Sequence, residues 1–114
     1  MIELDEVVVK DPEAVLPFWF YLGEWLAEEG DTVTSEPGNP VFTVDPAGEL
    51  TVDSVPGPTF VSIEVNGVTP VAPNAAKCWL SGGTASTTYR LTCQWTTTGG
   101  RTDQRSARVA VRER

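Results

Sequence analysis

Residues 79–95 read WLSGGTASTTYRLTCQW, and the second half of this stretch decides the fold. From 88 to 96 the side chains alternate, with Tyr89, Leu91, Cys93 and Trp95 on one face and Arg90, Thr92, Gln94 and Thr96 on the other. A period of two rich in aromatic and hydroxyl side chains is that of a half-buried strand. The first half fits a phosphate cradle, a hydroxyl-bearing binding loop, or a corner between two sheets. A phosphate cradle needs a lysine after its glycines and a helix beyond. Here Thr84 follows Gly82 and Gly83, and a strand comes next.

The pattern repeats on both sides. Residues 106–112 alternate again, with Ala107, Val109 and Val111 opposed to Ser106, Arg108, Ala110 and Arg112. Between the two runs lies Thr98-Gly99-Gly100-Arg101, whose glycines suit a hairpin turn. Shorter strands are expected at 76–81, 60–65, 49–54 and 40–44, with a turn at Asn66-Gly67-Val68. Residues 14–30, AVLPFWFYLGEWLAEEG, predict a strand over 16–22, placed at a sheet edge by Pro17, then a helical turn over 23–29 ended by Gly30. Many short strands punctuated by proline and glycine predict an all-β, immunoglobulin-like antiparallel β-sandwich of about seven strands. Tyr89, near the start of its strand, fits the tyrosine corner of such sandwiches, in which the hydroxyl bonds upstream backbone. Gly82 and Gly83 then let the chain cross between sheets. The expected core is Phe18, Phe20, Leu50, Val52, Ile63, Leu80, Tyr89, Leu91, Cys93, Trp95, Val109 and Val111. A single domain over 1–114 is expected, with residues 1–13 as an N-terminal arm.

Composition narrows the function. The formal charge of −8 argues against nucleic acid, which is bound by clustered lysine and arginine. No apolar run reaches the roughly 20 residues of a membrane helix. The acidic N-terminus lacks the basic start of an export signal, so assembly in a cytoplasm is expected. Residues 1–64 hold 14 acidic residues and one basic residue, Lys10, whereas residues 77–114 hold seven basic and two acidic ones. Such asymmetry suits contact between copies or balance within one. There is no histidine, so the commonest general base and metal ligand is missing. Cys78 and Cys93 lack partners for a zinc site and read as small buried hydrophobes, a disulfide between them staying open. The acids form no calcium loop and flank no nucleophile. No enzyme activity, metal or cofactor is expected.

Four tryptophans remain: Trp19, Trp25, Trp79 and Trp95. Trp95 shares the inward face of Tyr89. Trp79 is out of phase with Cys78 and Leu80 and is expected to face outward. With Trp19 and Trp25 it is a candidate interface anchor, and the exposed strand arginines Arg90, Arg105, Arg108 and Arg112 are candidates for contact between copies.

Several stretches together are similar to a known family. KDP at 10–12, WLAEEGDTV at 25–33, LTVDS at 50–54, WLSGGTASTTYRLTCQWTTTGGRTDQRS at 79–106 and VRER at 111–114 resemble small phage proteins described as fiber-tail adaptors. The most specific part is WLSGGTA-x-TTY followed by TT-x-GRTD-x-RS. The resemblance implies an immunoglobulin-type sandwich in the virion of a tailed phage, linking the tail or the head–tail junction to fiber or neighbouring virion proteins as a multi-copy ring. Residues 36–48 and 55–75 are longer than a member of this kind would need, which makes room for a separate binding surface and leaves the partner open. A capsid decoration protein, or a carbohydrate-binding sandwich using Trp19, Trp25 or Trp79 as a stacking platform, are the alternatives.

Overall fold

The alternating run becomes β7 (Thr87–Thr96), and the second run becomes β8 (Thr102–Val111), paired antiparallel from Thr87↔Val111 to Thr96↔Thr102. The computed structural model describes residues 7–33, 36, 38–55 and 57–113. Before this hairpin come β1 (Val7–Lys10), β2 (Leu16–Tyr21), α1 (Gly23–Glu29), β3 (Val41–Asp45), β4 (Leu50–Val52), β5 (Thr59–Val61) and β6 (Ala75–Gly82). One sheet runs β1-β8-β7-β3, and the other β2-β6-β4 with β5 also on β6.

β4 and β5 lie end to end on one edge of β6, opposite Leu80–Gly82 and Ala75–Lys77 respectively. Counted as one interrupted strand, they leave the seven positions of an immunoglobulin-like sandwich. The expected arm is the first of them: Val7–Lys10 forms a parallel ladder with Arg108–Val111. Residues 1–6 of that arm lie outside the described residues. β2 occupies a sheet edge, where Pro17 breaks no ladder between two neighbours. α1 ends at Gly30, whose φ of 61° is left-handed.

The facing sides of the two sheets bury Phe18, Phe20, Leu50, Phe60, Leu80, Tyr89, Leu91, Cys93, Trp95, Val109 and Val111. Val52 packs against this cluster half-buried. Ile63 departs from the expected core. The 60–65 strand stops at Val61, and the chain turns out of the sheet, leaving Ile63 half-buried with both backbone polar groups bonded to the Asn74 side chain. Both cysteines are free and buried. Burial pushes the Cys78 thiol up to about 12, with Asp53 adding to the effect, and pushes the Cys93 thiol up as well.

The crossing from β6 to β7 is a tyrosine corner. Gly82 and Gly83 have φ of +74° and +100°. A Cβ on Gly82 would sit 2.7 Å from the Glu49 carbonyl oxygen, and one on Gly83 2.8 Å from a Val111 methyl. Only glycine fits both the angle and the space. The Thr84 N–H donates to the Tyr89 hydroxyl at 2.9 Å, so the corner closes five residues upstream as expected. Glu49 completes it, accepting from the Thr84 hydroxyl at 2.6 Å and facing the Tyr89 hydroxyl at 3.4 Å. Below the crossing the buried Lys10 ammonium donates to the Gly82 carbonyl at 2.7 Å and to the Asp11 carbonyl at 2.9 Å.

Candidate functional site

With the inner sides of both sheets committed to the core and the glycine loop committed to a corner, the outer faces carry what chemistry remains. On the outer face of the β2-β6 sheet, alternation from the buried Phe18, Phe20, Cys78 and Leu80 forces Trp19, Lys77 and Trp79 outward. Trp19 stands directly opposite Lys77, and Pro17 opposite Trp79. The Lys77 ammonium lies 6.0 Å from the Trp19 ring centroid and 5.4 Å from that of Trp79. Each cation–π contact contributes about 0.5–1 kcal/mol at an exposed site and, more usefully, holds the three side chains as one unit. Trp19 is 41% exposed and Trp79 half-buried, so the unit is amphipathic: flat aromatic edges around one positive charge. Beside it the Ser81 hydroxyl donates to Asp53 at 2.6 Å.

The outer face of the β7-β8 hairpin is different. It carries Arg90 opposite Arg108, Thr92 bonded through its hydroxyl to Ser106 at 2.8 Å, Gln94 opposite Gln104, and Thr96 bonded to Thr102 at 3.1 Å. Like charges placed directly across a ladder cost stability. Asp45, the β3 partner of Arg90, sits at the end of this row. Arg112 is exposed just past β8. The face is thus polar and cationic, with no exposed aromatic side chain.

Two of the residues singled out in sequence fall elsewhere. Trp25, on α1, packs half-buried against the core and meets Trp95 edge-to-face, with ring centroids 5.4 Å apart at 85°. Arg105 shares the inward phase of Ala107 and Val109. Its guanidinium donates to the Tyr21 carbonyl of the opposite sheet at 2.9 Å and lies 5.8 Å from the Trp95 ring. Both residues close the end of the sandwich, and the parity of 105 with 107 was the signal that places Arg105 there. Glu49 and Lys10 are the residues sequence reasoning missed. Neither has a local pattern that points to a partner on the β6–β7 crossing.

A third feature holds α1 to the β7–β8 turn. Asp31 accepts from Arg101 at 2.8 Å, from the Gly99 N–H at 3.0 Å and from the Thr32 N–H at 2.9 Å, while Arg101 also reaches Glu29 at 3.2 Å. The Thr97 hydroxyl first, then Thr32, Arg101 and Gly99, hold the Asp31 carboxyl down to about 2, against an opposing effect of burial. Among the described residues no three His, Cys, Asp or Glu side chains gather where they could hold a metal ion. Among the described residues, the shifted groups lie in the core or in these structural ties, away from the two faces.

The model of one protein family, described as Podophage GP4 fiber-tail adaptor protein gp77, matches residues 10–110, from the buried lysine through nearly the whole of β8. No curated protein matches the chain.

Proposed function

Because the chain belongs to the podophage GP4 fiber-tail adaptor family, we propose that it joins two virion components through the two outer faces of its sandwich. The observation that carries this reading is their unlike chemistry. One face offers Trp19, Lys77 and Trp79 as a pre-held aromatic anchor, the composition of an interface hot spot. The other offers Arg90, Arg108 and Arg112 among hydroxyl and amide side chains, suited to an acidic surface. An adaptor needs two surfaces that do not compete, and a sandwich supplies them back to back.

In this reading copies stand side by side in a ring. The exposed acids Glu13, Glu24 and Glu28 of one copy lie toward the arginine-bearing face of the next. Each such exposed pair contributes about 0–1 kcal/mol, which steers copies into place without holding them.

The test is incorporation into particles. A phage deprived of this chain is complemented either with the double variant Trp19→Ala, Lys77→Glu or with Arg90→Glu, Arg112→Glu. Copies per purified particle are counted by quantitative mass spectrometry. All four positions are surface side chains, so circular dichroism should report a wild-type fold. Each double variant should give particles lacking a different neighbour. If both are incorporated at wild-type level with every neighbour present, the two-face reading is wrong. Glycan binding by the wild type that Trp19→Ala abolishes, with incorporation intact, would instead make the aromatic face a sugar platform.

A further inference from the structure

In the β1-β8-β7-β3 sheet, β3 pairs with β7 on one side, and among the described residues no strand pairs with its other side. Which main-chain groups face that open edge follows from Asn39. Its side chain takes the place of a ladder residue, accepting from the Thr96 N–H at 3.0 Å and donating to the Thr96 carbonyl at 2.9 Å. The Thr96 main chain therefore points toward β3, and with a period of two so do those of Gln94, Thr92 and Arg90. Their partners Val41, Thr43 and Asp45 close the ladder. The N–H and carbonyl groups of Phe42 and Val44 are left facing outward along the edge. Pro40 and Pro46 bound the strand, and neither has an N–H to donate.

Each open residue lines a recess between β3 and the β4–β5 edge of the other sheet. The one at Phe42, of about 360 Å³, is walled by Pro40, Val41 and Pro58. The one at Val44, of about 260 Å³, is walled by Ala47, Leu50 and Val52. Residues two apart on a strand are separated by about 7 Å, which is also the spacing of same-face side chains on any strand laid beside it. Open main-chain groups with a recess at each are the form of a site for strand addition. The main chain holds an extended segment, and the recesses take its alternate side chains.

We infer that the β3 edge takes an extended segment of another protein, apolar at alternate positions and basic at its ends. Charge selects the occupant. Glu36 lines the first recess, Asp45 ends the strand beside the second, and Glu49 lies between Gly48 and Leu50 of the second lining. All three acids are exposed, and neither lining contains lysine or arginine. Against Arg90, which stands opposite Asp45, the three acids leave the edge negative. A second copy, with a net charge of −8, is repelled here, whereas a segment flanked by lysine or arginine is drawn in. The site lies on neither outer face, so it goes beyond the two-face reading and does not depend on it.

The probe is a synthetic peptide, Lys-Thr-Val-Thr-Val-Thr-Lys, titrated into the isotope-labelled full chain and followed by amide NMR shifts. Binding should saturate with a Kd on the order of 1 mM or below, with the largest shifts at the Phe42 and Val44 amides. The same peptide ended in glutamate should bind about tenfold more weakly. Serine in place of both valines should weaken it as well. Methylating one of the two alternate sets of peptide amides, the set that faces β3, should abolish binding, and methylating the other should leave it unchanged. Ala47→Arg, an exposed position in the second recess, should abolish binding of the lysine-ended peptide, with a thermal melt confirming its fold. Absence of saturable binding, shifts centred away from β3, equal loss from both methylated sets, or tighter binding of the glutamate-ended peptide overturns the inference. A dimer of the chain alone that Ala47→Arg dissolves assigns the edge to a second copy and equally overturns it. Particle incorporation enters none of these readings, so the two-face reading stands or falls separately.

Discussion

Tyr89 has a second function besides filling the core. Its ring belongs to the inner face of β7, while its hydroxyl is the acceptor that satisfies the Thr84 N–H at a place where the chain leaves one sheet for the other. Tyr89→Phe keeps the ring and strands that N–H, so it should cost about 1–3 kcal/mol. The cost would be read as a lower urea midpoint at unchanged slope. An unchanged midpoint would mean the glycines alone hold the corner. The residue and its role were legible because the signal is local: a glycine pair, five residues, a tyrosine, then strict alternation. Lys10 was not. A lysine ending a valine run reads as the exposed tip of a strand, since lysine is almost never fully buried unpaired. One of its two carbonyl partners, that of Gly82, is 72 residues away. Burial lowers its pKa from the ordinary lysine value, with Asp11, Asp53 and Glu13 opposing the shift. The KDP and GGT motifs, far apart in sequence, are thus two halves of one contact.

Between elements, the tie from α1 to the β7–β8 turn makes stability depend on acid. Asp31 titrates near 2 in the folded chain and near the ordinary value of about 4 when unfolded. A depressed carboxyl contributes stability above the unfolded value and loses it as pH falls through the folded one. Wild type should therefore lose stability between about pH 4 and pH 2. Asp31→Asn should be less stable at neutral pH and show a shallower acid limb, with the two curves converging below pH 2. Parallel curves throughout would show that Asp31 is not the group responsible. At this scale the β7–β8 hairpin was readable from alternation and its Gly-Gly turn. The interruption of the β4–β5 strand was only half readable. Proline and glycine announced breaks at 56–58, but nothing local says that the chain resumes along the same edge of β6. The outward phase of Trp79 was likewise written in its neighbours, whereas its meeting with Trp19 around Lys77 depends on the β2–β6 register, a pairing across about 60 residues.

For the whole molecule, attraction between charged surfaces of neighbouring copies depends on salt. Attraction between an arginine face and acidic neighbours is screened within about 10 Å at 0.1 M ionic strength. Self-association measured by sedimentation should weaken from low to molar salt, and Arg90→Glu with Arg112→Glu should weaken it at low salt. Affinity that vanishes entirely at high salt would assign all of it to charge. The strand shared by β4 and β5 has a different consequence. The ladder with β6 runs to Asp53, whose N–H donates to the Trp79 carbonyl at 2.9 Å, and starts again at Thr59. Register on each side is set independently by β6, so residues can be added between those two points without sliding either half. The molecule thus has a splice point on its surface, away from the corner but alongside the strand that carries Trp79. An insertion there would alter what surrounds the aromatic face while the fold keeps its own measure of length.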